Sequence, residues 1–584
     1  MENISYRTYD GKVIIRLRDR VCDTPEQMLS SALFLDILTR CIHDLTQHNS
    51  KLLNIFDHEN ITKKDIQLLV KTLQFLIRLP AELVPKVVEG SDQFFRDPVL
   101  FNDFVEYLYN HWRSLSRLII CDSEGDRYDK RPYHTFNNTV ESLMHLVRGT
   151  YRDIQENITG NHPRIYRQVS AGAEIAAIAL PKDIAYPENY TKLNTVSIIR
   201  QVLIYPPLIF NPPMNKRTGF FERVDQNPIG KANINKEDWL CYPAKVGPLL
   251  IMVYFSVRFF ELGFAMANLF EVADDEDLKK KPDAIFLFGV PESENLMLDT
   301  KPTIFYDDEE NDMLIGTVPD QDAYGYFGYL KKMILTLHNI KMMKMGRMPF
   351  HGALVSLDIR GKGDVTVLVM GDTGAGKSET LEALRTLGNN EVDDIAIVAD
   401  DMGSLSIAKD GSIIGYGTET GAFVRLDDLQ PGYAFGQIDR TIIMSPNQVN
   451  ARVVLPVTTY EKVIKGYPID VILYANNYEE VDDEHPIIGR FDTPEDAIQV
   501  FREGKVMSKG TTTTVGQVQT YFANIFGPHQ YRDLHEKLAN KYFKAFFDHH
   551  VFVGQMRTRL GIHGMERQGP EASARALLET LRHL

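Results

Sequence analysis

Cysteine is scarce in this chain of 584 residues, which has only Cys22, Cys41, Cys121 and Cys241. They are widely scattered and no C-x-x-C pair exists, which removes zinc-site and dithiol redox signatures. Dispersed, unpaired thiols fit a reducing compartment, and the expected location is cytoplasmic. An excess of positive charge is also missing: 64 Lys and Arg face 79 Asp and Glu, a formal net charge of −15. That balance argues against nucleic acid or an anionic membrane surface as the main partner. No uncharged apolar run is long enough to span a bilayer. The most apolar stretch, Val246 to Phe270, carries Arg258 and Glu261 in its middle, and its uncharged part ends at Val257. A buried core helix is expected there. The first residues, Met-Glu-Asn-Ile-Ser-Tyr-Arg, lack the basic start and apolar core of a signal peptide. Repeats and low-complexity segments are absent.

What is present is the composition of a globular protein, 44% hydrophobic and 24% charged, over a length that exceeds one compact domain. Three regions are expected. Residues 1–164 read as an all-helical domain after a short strand around Lys12-Val-Ile-Ile-Arg-Leu17. Thr24-Pro25-Glu26-Gln27 is a helix cap with proline at the first helical position. Further helices are expected from Ile61-Thr62 to Leu76, from Asp97 to Leu118 and from Asn137 to Ile154. The histidines of this region are too dispersed for a metal site, and it reads as a scaffold or a surface for a protein partner or oligomer contact. Residues 165–345 turn to prolines and short apolar runs, such as Ile285 to Val290 and Thr303 to Tyr306, and read as a mixed α/β domain. Asp307-Asp-Glu-Glu-Asn-Asp312 reads as a solvated acidic turn. In residues 346–584 strands and helices alternate, ending in helices with a strand at His550 to Val553.

Val365 to Met370 is a run of β-branched and apolar residues, the mark of a buried strand. Gly371-Asp372-Thr373-Gly374-Ala375-Gly376-Lys377-Ser378 then reads G-x-x-x-x-G-K-S, and Glu379 to Leu387 reads as a helix. Strand, glycine loop and helix together define a phosphate-binding loop. The glycines let the backbone turn N–H groups into one concavity, and the helix N-terminus adds partial positive charge. Lys377 supplies a mobile cation for the outer phosphates of ATP, and the Ser378 hydroxyl suits a nucleotide-bound Mg²⁺. Twenty-two residues after Ser378, the apolar run Ile395 to Ala399 ends in Asp400-Asp401. Carboxylates delivered beside a phosphate loop suit hard divalent cations.

Further residues carry a family resemblance. Tyr326-Phe-Gly-Tyr-Leu-Lys-Lys332, His351, the phosphate loop and Asp400-Asp401 follow one another in the order found in the ATP-type phosphoenolpyruvate carboxykinases, with Lys332 and His351 19 residues apart. Asn450-Ala-Arg452, Glu419-Thr-Gly-Ala-Phe-Val-Arg425 and Tyr521-Phe-Ala-Asn-Ile-Phe-Gly527 are similar to later stretches of that family. The resemblance implies that Lys331 contacts substrate and that Lys332, His351 and Asp401 hold Mn²⁺, which requires a neutral lysine. It implies that Arg452 bridges to the γ-phosphate, and that Arg557 or Arg559 lies near the adenine. The centre also resembles the HPr kinase/phosphorylases, in His351-Gly-Ala-Leu-Val355, in Gly371 to Thr380 with its Lys377-Ser378-Glu379 ending, and in Val398-Ala-Asp-Asp401. Either resemblance covers about 325–580.

The implied fold is a carboxykinase-like, two-lobed mixed α/β core with a phosphate-loop nucleotide domain, preceded by the all-helical domain. Lys331, Lys377, Arg452 and Asp400 are the expected catalytic groups, with ATP, Mg²⁺ and Mn²⁺ as cofactors. The carboxykinase pattern is broken at Tyr329, where that family has glutamate. The nearest match to its oxaloacetate-gripping arginine is Lys216-Arg217-Thr218-Gly219, with Arg223 just after. Three functions follow: conversion of oxaloacetate and ATP to phosphoenolpyruvate, ADP and CO₂; phosphorylation of a small-molecule or protein hydroxyl; and a non-catalytic ATP sensor.

Overall fold

The structure, a computed structural model, describes residues 4–9, 11–17, 22–122, 132–217, 221–232, 234–291, 303–387, 391–429, 437–509, 515–527 and 529–584. It is mixed α/β with several sheets. The chain divides into two compact units: residues 1–180 with 199–205, and residues 181–198 with 206–584. This division falls at Leu180 instead of 164, and it leaves 206–345 in the same unit as 346–584. The reason is visible in the pairing of Leu208–Phe210 with Ile442–Met444, which joins both regions in one small sheet.

The first unit is not all-helical. Its helices Pro25–Leu29, Ala32–Gln47, Lys63–Leu76, Pro98–Ser114 and Pro132–Thr159 accompany a sheet. Ile4–Tyr9 pairs antiparallel with Lys12–Leu17, which runs parallel to Ser116–Cys121, itself parallel to Ile175–Leu180. The helix expected over Asp97 to Leu118 therefore stops at Ser114, and the chain enters a strand. Leu118, Ile119, Ile120 and Cys121 are all buried. A short run that is apolar on every position has no periodicity to separate strand from helix, which is why the sequence reads through it. The local caps do form as expected: Thr24 accepts from the Gln27 N–H, and Thr62 and Asp65 make a reciprocal capping box.

In the second unit, Val246 to Phe270 is not a core helix. Trp239–Val246 and Leu249–Ser256 form an antiparallel hairpin about Gly247-Pro248, and only Phe260–Ala265 is α-helical. Every residue of Leu249–Ser256 is buried, so the same ambiguity of continuous apolar runs operates. The hairpin continues into Ala284–Val290, Met313–Pro319, Ile304–Asp308 and Glu222–Val224. The acidic run is also corrected. Asp307 and Asp308 are buried at a strand end; Lys344 and Tyr531 bond Asp307, and Tyr190 bonds Asp308. Glu309, Glu310 and Asp312 match the expected solvated face.

Two elements position the site. The helix Phe327–Lys344 is buried on almost every side, which brings Lys331 into the interior and leaves Lys332 beside it half-buried. The strand Met348–Ile359 is the hub of a second sheet. It pairs antiparallel with Gly363–Met370 along one edge, and along the other with Val392–Ala399 and then Met402–Ile407. Gly363–Met370 runs parallel to Val471–Asn476, and that strand to Phe552–Arg557. Val367, Val369, Leu384, Leu473 and Leu577 form part of the core that packs helices Lys377–Leu387 and Gln568–His583 onto this sheet. No helix among the described residues is long and apolar enough to cross a membrane.

The strand assignment of 116–121 predicts that Ile120→Ala, on a fully buried side chain, costs about 2–5 kcal/mol, read as a lowered urea midpoint of the full chain. A cost below about 0.5 kcal/mol, as for a surface position, would contradict it.

Candidate active site

The phosphate loop forms between Gly363–Met370 and Lys377–Leu387, as the sequence predicts. Gly374 and Gly376 have φ of +80° and +92°, in the region that favours glycine. A Cβ at Gly376 would lie 2.6 Å from Thr558 Oγ1, so the loop is packed tightly against the segment after Phe552–Arg557. Thr558 Oγ1 donates to the Ala375 carbonyl at 2.7 Å, and Asn477 Nδ2 to the Gly374 carbonyl at 2.9 Å. Thr520 Oγ1 donates to Asp372 Oδ2 at 3.2 Å. Three side chains distant in sequence thus tie the loop down. Lys377 folds back onto the Gly371 and Asp372 carbonyls at 2.6 and 3.0 Å, and burial lowers its pKa. Ser378 is exposed at the helix start and Glu379 half-buried beside it.

The hub strand connects this loop to the acidic pair. The Gly371 N–H donates to the His351 carbonyl at 3.2 Å, and the Gly352 N–H to the Asp401 carbonyl at 2.9 Å. A Cβ at Gly352 would stand 2.5 Å from the Val369 carbonyl oxygen, so only glycine allows the strands to close here. Asp400 and Asp401 occupy the junction between Val392–Ala399 and Met402–Ile407, which lies between the pairs Leu354–Ala399 and His351–Met402.

Asp401 is the centre of a polar cluster. Its Oδ2 accepts from Lys331 Nζ at 2.7 Å, and its Oδ1 lies 2.9 Å from His351 Nε2. Lys331 Nζ is also 3.0 Å from Glu419 Oε1, and both side chains are buried. Burial alone would lower the Lys331 pKa, but Asp401 and Glu419 together raise it. Asp401 is held well below the carboxylate range: burial opposes this, and Lys331 and His351 overcome it. Burial raises Glu419 to about 7, against the pull of Lys331. Burial, then the Asp401 charge, raises Asp400 to about 6. His351 Nδ1 donates to the Ala523 carbonyl, which aims Nε2 at Asp401. That carbonyl is presented by Phe522, Ala523 and Asn524, whose φ values are 45°, 57° and 63°. Three consecutive left-handed residues cost roughly 1–2 kcal/mol each, a strain retained where the segment faces the site.

Lys332 has a different environment from Lys331. Its ammonium sits 4.3 Å from the centre of the Phe526 ring. Burial, then the Arg217 charge, lowers its pKa to about 8. Arg217 in turn feels Tyr329 and Tyr326. Tyr326 is buried, and Arg452, Arg217 and Lys331 counteract the rise that burial imposes on its phenol. Arg452 opens the strand Arg452–Pro456 with its guanidinium 5.4 Å from the Phe423 ring. Its Nε is buried with no hydrogen-bond partner among the described residues. Of the two candidate substrate arginines, Arg217 joins this group, while Arg223 is 3.3 Å from Glu309 and lies over Tyr531. Thr218 and Gly219 fall outside the described residues. Arg557 is tied to Glu479 and the Pro486 carbonyl at 2.9 Å each. Arg559 follows Thr558 in a left-handed conformation, φ 54°, with a buried Nε that has no hydrogen-bond partner among the described residues.

The sequence-predicted Lys331, Lys332, His351, Lys377, Asp400, Asp401 and Arg452 therefore gather in one region. Arg217 joins them as the nearest match to a substrate arginine; Glu419 and Tyr326 lie in stretches that resemble the carboxykinases but had no role of their own, and no local pattern marks Thr520 and Thr558. Among the described residues, no group of three or more His, Cys, Asp or Glu side chains is arranged to hold a metal. A cation here would need the mixed Lys332–His351–Asp401 set. Two observations fit it. His351 gives its Nδ1–H to a carbonyl, the usual orientation of a ligating histidine. Lys332, at about 8, is within reach of the neutral form a ligand requires. Comparison with protein-family models and with curated proteins returned no match.

Glu419→Gln removes one partner of a buried lysine that keeps Asp401 as its other. The expected loss of stability is about 3 kcal/mol, the low end for breaking a buried pair, measured by denaturant unfolding at pH 8. No loss would show that Asp401 alone satisfies Lys331.

Proposed function

We propose that this protein is an enzyme catalysing ATP- and divalent-metal-dependent phosphoryl transfer, with a carboxykinase-like reaction on oxaloacetate as the leading form. The observation that carries this reading is the convergence of Lys331, His351 and Glu419 around Asp401, one hydrogen bond from the strand that begins the phosphate loop. A phosphate loop alone needs none of these groups.

In the proposed mechanism, ATP lies along Gly371–Ser378, with the loop N–H groups and helix N-terminus holding its phosphates. Lys377 exchanges the Gly371 and Asp372 carbonyls for phosphate oxygens. Arg452 and Arg217 neutralise charge spreading over the transferred group, since this chemistry rests on positioning and electrostatics. Arg217 also orients an acceptor carboxylate. Lys331, held protonated by Asp401 and Glu419, donates to the acceptor oxygen where negative charge develops. Lys332, His351 and Asp401 would hold Mn²⁺, with Ser378 and Asp400 beside the nucleotide Mg²⁺; such ions supply Lewis-acid stabilisation of developing oxyanions. The resemblance to the carboxykinases supports a two-lobed core of that type, and the dispersed thiols support a cytoplasmic setting.

A second reading has its own observation. Asp400, raised to about 6, is suited to accept a proton near neutral pH. That is what transfer to a hydroxyl requires and transfer to an enolate does not, and the Lys377-Ser378-Glu379 ending agrees with it. A non-catalytic ATP sensor would need neither Asp400 nor Lys331.

The expected result is CO₂ release from oxaloacetate that depends on both ATP and Mn²⁺. ATP consumption only with a hydroxyl acceptor selects the kinase reading, and tight ATP binding without turnover selects the sensor. Lys377→Ala is expected to lower kcat about 10²–10³-fold, the scale for removing one preorganised charge-stabilising donor, with the fold unchanged by circular dichroism. Arg217→Lys is expected to raise the KM for oxaloacetate at least about tenfold, because a point charge loses the planar two-pronged grip of a guanidinium. ATP affinity should change little, and an equal loss for ATP would place Arg217 on the nucleotide instead.

A further inference from the structure

We propose that the first unit carries a binding site for a small, uncharged, apolar molecule, of the size of a benzene ring or short hydrocarbon. The inference is independent of the phosphoryl-transfer reading. The site is a cavity of about 120 Å³ walled by Leu29, Phe34, Leu73, Leu108, Leu143 and Ile154, among other side chains. These come from five different helices, so the space lies between elements that each bury their own apolar face. Dry cavities of about 150 Å³ in other proteins take up benzene or xenon, and this one is close to that size.

The chemistry of the wall selects the ligand. The polar groups on it are largely committed elsewhere. Ser31 Oγ donates to the Met28 carbonyl and accepts from the Phe34 N–H. Thr150 Oγ1 donates to the Leu146 carbonyl at 2.8 Å, and Trp112 Nε1 to the Ala171 carbonyl at 2.7 Å. Tyr151 donates its hydroxyl to Glu106. Water entering the space would find few partners, and a polar or charged ligand would be desolvated without compensation. An apolar guest displaces nothing well bound and supplies the dispersion contacts the lining lacks.

The cavity also has reasons to persist. Tyr109 and Tyr151 stack with ring centres 3.9 Å apart and planes within 8°, and the Tyr151–Glu106 bond keeps that ring from swinging inward. The helix starts that frame the space are fixed by the Thr24, Ser31 and Thr62 caps. Met28, Leu33 and Phe34 line the cavity yet are only half-buried, so it meets the surface at movable side chains. Methionine in particular has the rotatable bonds to let a guest pass.

The test is calorimetric titration of the full chain with benzene, paired with thermal unfolding at the same concentrations. The expected result is saturable one-site binding and a rise in Tm. Val147→Phe fills the cavity and should weaken binding at least tenfold. Ile154→Val enlarges it and should bind p-xylene several-fold more tightly than the unaltered chain does; this second variant decides the matter if the first does not fold. Absence of saturable benzene binding, undiminished binding by Val147→Phe, or no p-xylene gain in Ile154→Val would each overturn the proposal.

Discussion

The ion pair between Lys331 and Asp401, 2.7 Å long and buried on the lysine side, is the constraint on which the site depends. Taking an ammonium out of water is costly, and it is tolerated here because two carboxylates share it. Each partner belongs to a different part of the second unit. Lys331 comes from a helix buried on nearly all sides, Asp401 from a junction between two strands, and Glu419 from the approach to a third. Satisfying one buried charge therefore fixes three elements relative to one another. His351 completes the arrangement by placing Nε2 against the second oxygen of Asp401.

The same hub strand turns this local bond into a connection with the phosphate loop. His351 and Gly352 sit between the start of the loop on one edge and the acidic pair on the other, joined to both through backbone hydrogen bonds. Glycine at 352 is what lets the backbones approach so closely. A nucleotide held at Gly371–Ser378 would thus lie a fixed distance from Asp400 and Asp401, without a flexible link. Preorganisation of that kind is the main resource of phosphoryl-transfer enzymes. The left-handed run Phe522–Asn524 is the conformational cost of presenting a carbonyl to His351.

Electrostatically, neighbouring lysines are pushed in opposite directions. Two carboxylates keep Lys331 charged, while burial and Arg217 bring Lys332 down to about 8. The acidic neighbours diverge too, with Asp401 depressed and Asp400 raised to about 6. Pairs of like groups separated in this way are a mark of sites with divided acid, base and ligand roles. The assignment of those roles under the proposed function follows this division.

Local chemistry was legible in the amino-acid sequence wherever it depends on adjacent residues. The phosphate loop with its strand and helix, the caps at Thr24 and Thr62, and the strand ending in Asp400-Asp401 all formed as their patterns require. The pairing of apolar runs was not legible. Leu118 to Cys121 and Leu249 to Phe255 are apolar at every position, so nothing in them distinguishes a strand covered on both faces from a buried helix. Burial of Asp307 and Asp308 depended on Lys344, Tyr531 and Tyr190, far away in the chain. By itself, then, the sequence determined the strand, glycine-rich loop and helix of residues 363–387, because backbone turns and helix termini are local. Only the tertiary structure decided that Glu419 shares Lys331, that Arg217 and not Arg223 joins the cluster, and that Thr558 braces the loop. Those contacts span tens to hundreds of residues, and their strength comes from burial, which no local pattern encodes.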